Sequence, residues 1–259
     1  MTAFLRADFF LALRQRSLYI LYGFCVFVLF FGLLPTSLYR EAHWVYGDIL
    51  RLARLGLLVF SPVFCLLVYK PPGLQDMLAA GLYSRRTIYW GTYISAGLQT
   101  LLATVLLAML SLFMVYVAGG GLAATGDVEL VRDPSEPSLQ LLQVWGFLNA
   151  CWQTFWICMA LNSILICFLF ALRSRRIQAC ILFYLFIFFM PFIQLLILDM
   201  LPDFSKRIWG QLLYLNPLVY CDYFQDLRIK LDWRFWLMVL EHLLLWNGLG
   251  AYFYQHRRT

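Results

Sequence analysis

The sequence predicts an all-α membrane protein with six transmembrane helices. Three observations carry that expectation. Of 259 residues, 63% are hydrophobic and only 13% charged, and the mean hydropathy is +0.75. A soluble domain carries about 25% charged residues. Charge-free runs recur at residues 18–34, 55–69, 87–126, 138–172 and 177–198, most of them near the roughly 20 residues that cross a bilayer core as helix. Short segments rich in Arg, Pro and Gly separate these runs. Lipid offers an open backbone no hydrogen-bond partner, so helix is the only state for runs this long.

Taken in order, residues 1–259 form a single transmembrane domain. Residues 1–17 mix Phe4, Leu5, Phe9 and Phe10 with Arg6, Arg14 and Arg16, the composition of a helix lying along a membrane surface. This basic leader lacks an Ala-x-Ala-like site after Leu34, which argues against a cleaved signal. The first span is expected over 18–35, ended by Pro35, and the second over 49–69. Arg51 and Arg54 at the start of the second either snorkel to the interface or meet an anionic group, such as Glu241, inside the bundle.

Pro71, Pro72 and Gly73 must end that span, because proline lacks a donor and glycine is flexible. Residues 70–86 then read as a short helix with a mixed face, closed by Gly81 and followed by Tyr83-Ser84-Arg85-Arg86. The third span is expected over 87–118, stopping before Gly119-Gly120-Gly121, and Gly91 and Ser95 in it have the small-xxx-small spacing that permits close helix contact. The acidic segment 127–137 reads as a solvated loop. The fourth span lies within 138–172. Its Gln140, Gln143, Asn149, Gln153, Asn162 and Ser163 either line a route or tie helices together. Arg173–Arg176 is a tight basic loop before the fifth span, 177–198, in which Pro191 is a kink signal. The apolar piece 208–221 is too short to cross comfortably and is broken by Asn216-Pro217, so it reads as a re-entrant element. The last span is 235–255.

The net charge is +6, but its distribution speaks for orientation rather than for nucleic acid. With both termini cytosolic, eleven bases fall on inner segments against Asp8 and Asp76, and nine fall on outer segments among eleven acids. Short basic inner loops set orientation, here Arg173–Arg176 and the tail with Arg257 and Arg258. Seven cysteines without a C-x-x-C lie mostly in apolar runs and read as small hydrophobes rather than a disulfide framework.

The segment around Asp76-Met77-Leu78-Ala79-Ala80-Gly81-Leu82, followed by Tyr83-Ser84-Arg85-Arg86, resembles the cytosolic coupling helix of ABC-2 type transporter permeases. In that family a leucine-containing turn and Pro-Val-Ser-Arg-Arg precede the third helix. Lys70-Pro71-Pro72-Gly73 departs from the family's acidic start. Tyr214-Leu215-Asn216-Pro217-Leu218 resembles the Leu-Asn-Pro-Leu of the family's split fifth helix. The resemblance implies an N-terminal interfacial connecting helix, six spans, a cytosolic coupling helix at 70–86 and an outer re-entrant helical element. It further implies an exporter subunit of the inner (cytoplasmic) membrane, multi-pass, working as a homodimer or heterodimer with a similar permease. A separate ATP-binding cassette ATPase would hold the ATP and Mg, with no cofactor in this chain and no nucleic-acid partner. Gln75, Asp76, Leu78, Leu82, Tyr83, Ser84 and Arg85 would meet the ATPase, and Leu215, Asn216 and Pro217 would form an outer gate. Phe60, Phe64 and Glu241 would line the path.

The chain has no GxxxxGK[ST], so it cannot cradle ATP by a P-loop. It also lacks Gly-x-Ser-x-Gly and HExxH, and His43, His242 and His256 are too scattered for a zinc or haem site. Glu241 inside the last span is costly unless paired, neutral or wetted; it serves either as a substrate contact or in helix-to-helix bonding. The absence of a strongly charged cavity signature favours a lipid, peptide or hydrophobic compound as cargo. Two other classes stay open: a membrane-embedded enzyme or redox protein using Glu241, His242 and the cysteines, and an ATP-independent carrier. The carrier reading lacks the internal repeat such proteins often show.

Overall fold

The structure is a computed structural model that describes residues 19, 20, 22–24, 26, 27, 45–81, 83–119, 137–172, 175–200, 216, 217 and 233–256. Every described element is helical. In chain order they are α1 (Val45–Val68), α2 (Pro72–Gly81), α3 (Arg85–Gly119), α4 (Pro137–Leu172), α5 (Arg176–Met200) and α6 (Trp233–Glu241), then a π-helical turn (His242–Trp246) and α7 (Asn247–Gln255). The expected surface helix at 1–17 and the acidic loop fall outside the described residues. So does most of the first span and of the re-entrant element.

Two described helices, Arg85–Phe113 and Phe147–Leu172, are long and apolar enough to cross a membrane; the bent pair Gly56–Val68 and Gly73–Gly81, taken as one span, would make a third. Polarity is arranged as in a membrane protein. Ser61, Thr92, Ser95, Gln99, Thr100 and Asn162 are buried, whereas Leu98, Val105, Leu106, Met109 and Phe113 face outward along α3. So continuous an outward apolar surface is compatible with a membrane location, since soluble monomers rarely expose one.

α4 sits at the centre. Phe147, Ile157, Ala160, Leu165 and Ile166 are fully buried along it, with α1, α3, α5 and α7 packed around it. Helices that share lipid as solvent gain little from the hydrophobic effect, so close packing and hydrogen bonds must hold them. Both are present. Ser61 of α1 donates to Asn162 Oδ1 of α4 at 2.7 Å, and Asn162 Nδ2 donates to Thr100 Oγ1 of α3 at 3.2 Å. The Thr100 hydroxyl donates back to the Ala96 carbonyl at 2.9 Å. Three helices thus meet at one polar triangle, beside Pro62, which removes a backbone donor from α1.

Among the described glycines, the closest approach lies where α7 meets α3. A Cβ on Gly250 would collide with the Tyr89 hydroxyl and lie 2.8 and 2.9 Å from its Cζ and Cε2. Only glycine lets the fully buried Tyr89 ring lie there and donate to Asn247 Oδ1, at 3.2 Å, one turn earlier on α7.

Candidate functional site

The elbow between α1 and α3 is built by residues 69–87. α1 ends at Val68 and residues 69–71 form the break. Pro72 opens α2 at the first helical position, where its missing donor costs nothing. Gly73 lies in the first turn of α2 rather than ending a helix, and α2 leaves at 57° to the last part of α1. Its far end closes with a bond from the Tyr83 amide to the Leu78 carbonyl, 3.0 Å, the long six-to-one bond of a Schellman-type end. Ser84 then caps α3. Its hydroxyl accepts from the Thr87 amide at 3.1 Å and meets Thr87 Oγ1 at 2.8 Å, which satisfies a first-turn donor. Ser84 and Thr87 therefore set where the third helix begins.

The elbow is tied to the bundle. Gln75 is 2% exposed and its amide donates to the Lys70 carbonyl at 2.7 Å, bridging the break. The Tyr69 hydroxyl donates to the Leu169 carbonyl of α4 at 2.9 Å, and its ring packs edge-on to Phe170, 5.2 Å between centroids. The Arg176 guanidinium, at the start of α5, lies over the same Tyr69 ring at 5.2 Å. Tyr69, just after the end of α1, thus touches both the end of α4 and the start of α5.

The expected contact residues divide. Gln75 faces inward. Leu78 and Tyr83 pack against the main hydrophobic core. Asp76 and Arg85 are half-buried, Ser84 is exposed, and Leu82 lies outside the described residues. The apolar side chains that α2 turns outward are Leu74 and Met77, the latter 73% exposed. Composition alone did not separate these two from Leu78. The three-residue step from Leu74 to Met77, on one helical face, was the signal available.

Phe60 and Phe64 are buried with Leu57, Ala103, Leu107 and Cys158, and their rings meet Phe24 edge-on at 5.9 Å and Tyr22 at 5.5 Å. Neighbouring side chains fill the space around both. Asn216 and Pro217 form a buried bend and turn, while Leu215 lies outside the described residues. The side chains of Arg51 and Arg54 do as well. Cys65, Cys151, Cys158 and Cys167 are buried. No group of three metal-ligating side chains occurs among the described residues.

Glu241 and His242 mark the junction of α6 with the π-helical turn. Glu241 is half-buried, and its Oε2 lies against His242 Nδ1. That ring nitrogen is also 3.0 Å from the Met238 carbonyl. The carboxylate oxygen meets the ring outside hydrogen-bond alignment, so the contact with the Met238 carbonyl is the better-formed bond. Two side-chain donors, one from a distant helix, reach carbonyls of the widened turn. The Ser163 hydroxyl of α4 shares its proton between the Ala160 carbonyl at 2.6 Å and the His242 carbonyl at 3.1 Å, and Asn247 Nδ2 donates to the Leu243 carbonyl at 3.0 Å. Side-chain donors that insert into the helical ladder stabilise such a turn, and π-turns often occur at functional sites.

No protein-family model matches the chain, and no curated protein matches it either.

Proposed function

We propose that the chain is the membrane-embedded permease subunit of an ABC-2 type exporter. The observation that carries this reading is the elbow: a short helix set at 57° between two apolar helices, anchored through Tyr69 and Gln75 and presenting Leu74 and Met77 outward. In this account α2 is the coupling helix and sits in a groove of a cytosolic ATP-binding cassette ATPase. Residues 1–17 lie on the inner surface, six helices cross the inner membrane, both termini are cytosolic, and residues 208–221 re-enter from outside. Two copies, or this chain and a similar one, enclose the path.

ATP-driven closure of the ATPases pushes α2. Tyr69 passes the displacement to α4 and α5, whose packed contacts have discrete arrangements, so the bundle rocks between inward- and outward-open states. The cargo is a lipid, peptide or hydrophobic compound. Glu241 and His242, at the π-turn, are the polar groups closest in kind to a gate.

The test is reconstitution with the ATP-binding cassette protein that copurifies from the native membrane. Met77→Glu is expected to abolish the permease-dependent part of its ATP hydrolysis while leaving membrane insertion unchanged. Undiminished stimulation by Met77→Glu and Leu74→Glu together would contradict the reading, as would a chain purified under mild conditions with no nucleotide-hydrolysing companion.

A further inference from the structure

An apolar groove of about 650 Å³ runs along α5, walled on one side by Leu66 of α1. Its lining includes Ile177, Ile181, Leu185 and Phe189. From Arg176 to Phe189 the helix rises roughly 20 Å, against about 15 Å for one leaflet of hydrocarbon. Arg176 stands at one end of the groove, at the first turn of α5. Besides Arg176, the lining carries the Tyr184 phenol and the Cys180 thiol; the rest is hydrocarbon and aromatic ring.

Arg176 has donors to spare. A guanidinium carries five N–H groups. One makes a long 3.5 Å approach to the Tyr69 carbonyl and the plane rests on the Tyr69 ring. No carboxylate among the described residues pairs with it. The first-turn amides of α5 and the positive end of its dipole lie at the same place. A half-buried cation at the mouth of a leaflet-length apolar groove is complementary to one chemistry: a negatively charged head on an acyl chain.

We propose that this groove is a binding site for an anionic phospholipid, its phosphate on Arg176 and one acyl chain along α5. The zwitterionic lipids that surround any membrane protein would lie there without preference. The site is separate from the elbow's outer face, and it stands whether or not the chain works with an ATPase.

The experiment is native mass spectrometry of the full chain in detergent, titrated with dioleoyl phosphatidylglycerol or dioleoyl phosphatidylcholine. One phosphatidylglycerol is expected to bind with at least about tenfold preference, the equivalent of roughly 1.4 kcal/mol. Arg176→Gln should remove that preference. Ile181→Trp, which fills the groove and keeps the charge, should weaken both lipids. Arg86→Gln, at an exposed position on α3, should leave the preference in place. The cation over Tyr69 also supports the elbow, so Arg176→Lys serves as a folded variant that keeps charge but loses the planar fork; it should retain part of the preference. Equal binding of the two lipids by the wild type would overturn the proposal. So would an unchanged preference in Arg176→Gln, or a disulfide between two Ile181→Cys copies that forms with no loss of bound lipid.

Discussion

Gly250→Ala isolates the closest approach found at any described glycine. The added methyl would collide with the Tyr89 hydroxyl and lie within 3.0 Å of two ring carbons. The ring cannot swing aside. It is fully buried, tilted against Phe170 at 4.9 Å and edge-on to Trp90 at 5.9 Å. Hence α7 must move from α3. Forcing an extra methyl into a packed core costs about 1–3 kcal/mol, and the lost bond from Tyr89 to Asn247 adds about 0.6 kcal/mol in a membrane protein. A total of about 2–3 kcal/mol corresponds to a fall of roughly 5–10 °C in thermal midpoint for a chain of this size. The assay is the fraction of monodisperse protein that survives heating in detergent, followed by size-exclusion chromatography. Gly248→Ala is the internal control, because a Cβ there meets nothing within 4 Å; it should be neutral or slightly stabilising. Tyr89→Phe should rescue Gly250→Ala only in part, since the hydroxyl goes but Cζ and Cε2 remain. Equal midpoints for the Gly248 and Gly250 variants would refute the close-approach argument.

Three further outcomes follow from the same contacts. Asn162→Leu removes both of its interhelical bonds and should cost about 1–2 kcal/mol; adding Ser61→Ala should cost little more, and additive losses in that double-mutant cycle would show the two are not coupled. Ser84→Ala should destabilise the start of α3 by about 1 kcal/mol and Ser84→Asp should restore it, read as protease resistance of the elbow; equal resistance of the two variants would remove the cap from the account. Gln75→Leu deletes the bond across the break at residues 69–71 at a cost of about 1 kcal/mol and should speed cleavage near residue 70 by a protease, a result absent if the break is held by other contacts.

The elbow was legible in part: Pro71 and Pro72 had to stop α1 because neither offers a backbone donor, whereas Gly73, expected to help end that helix, lies within the first turn of α2. The order of apolar helices was legible for a similar reason, since long uncharged runs have one backbone solution in lipid. α1 nevertheless begins at Val45, four residues before the expected 49, because its charged first turns give no hydropathy signal. Roles were harder to read. Ser84 stood within a basic stretch that suggested a partner surface, yet its spacing to Thr87 is that of a helix cap. Asn162 and Ser163 were open between lining a route and tying helices; their bonds to Ser61, Thr100 and the His242 carbonyl are ties. The π-turn could not be read at all, because Ser163, 79 residues away, supplies one of the donors that reach it. The same holds for Gly250, whose need for a missing side chain is set by Tyr89.

The central claim is that α2 takes force from a cytosolic motor. A photoreactive residue at Met77, activated in intact cells, tests it most directly. The account predicts one crosslink to an ATP-binding cassette protein, altered in yield when ATP hydrolysis is blocked, and none at Gln75, which faces inward. Crosslinks from Met77 to lipid alone, or labelling of that position only from outside the cell, would contradict it.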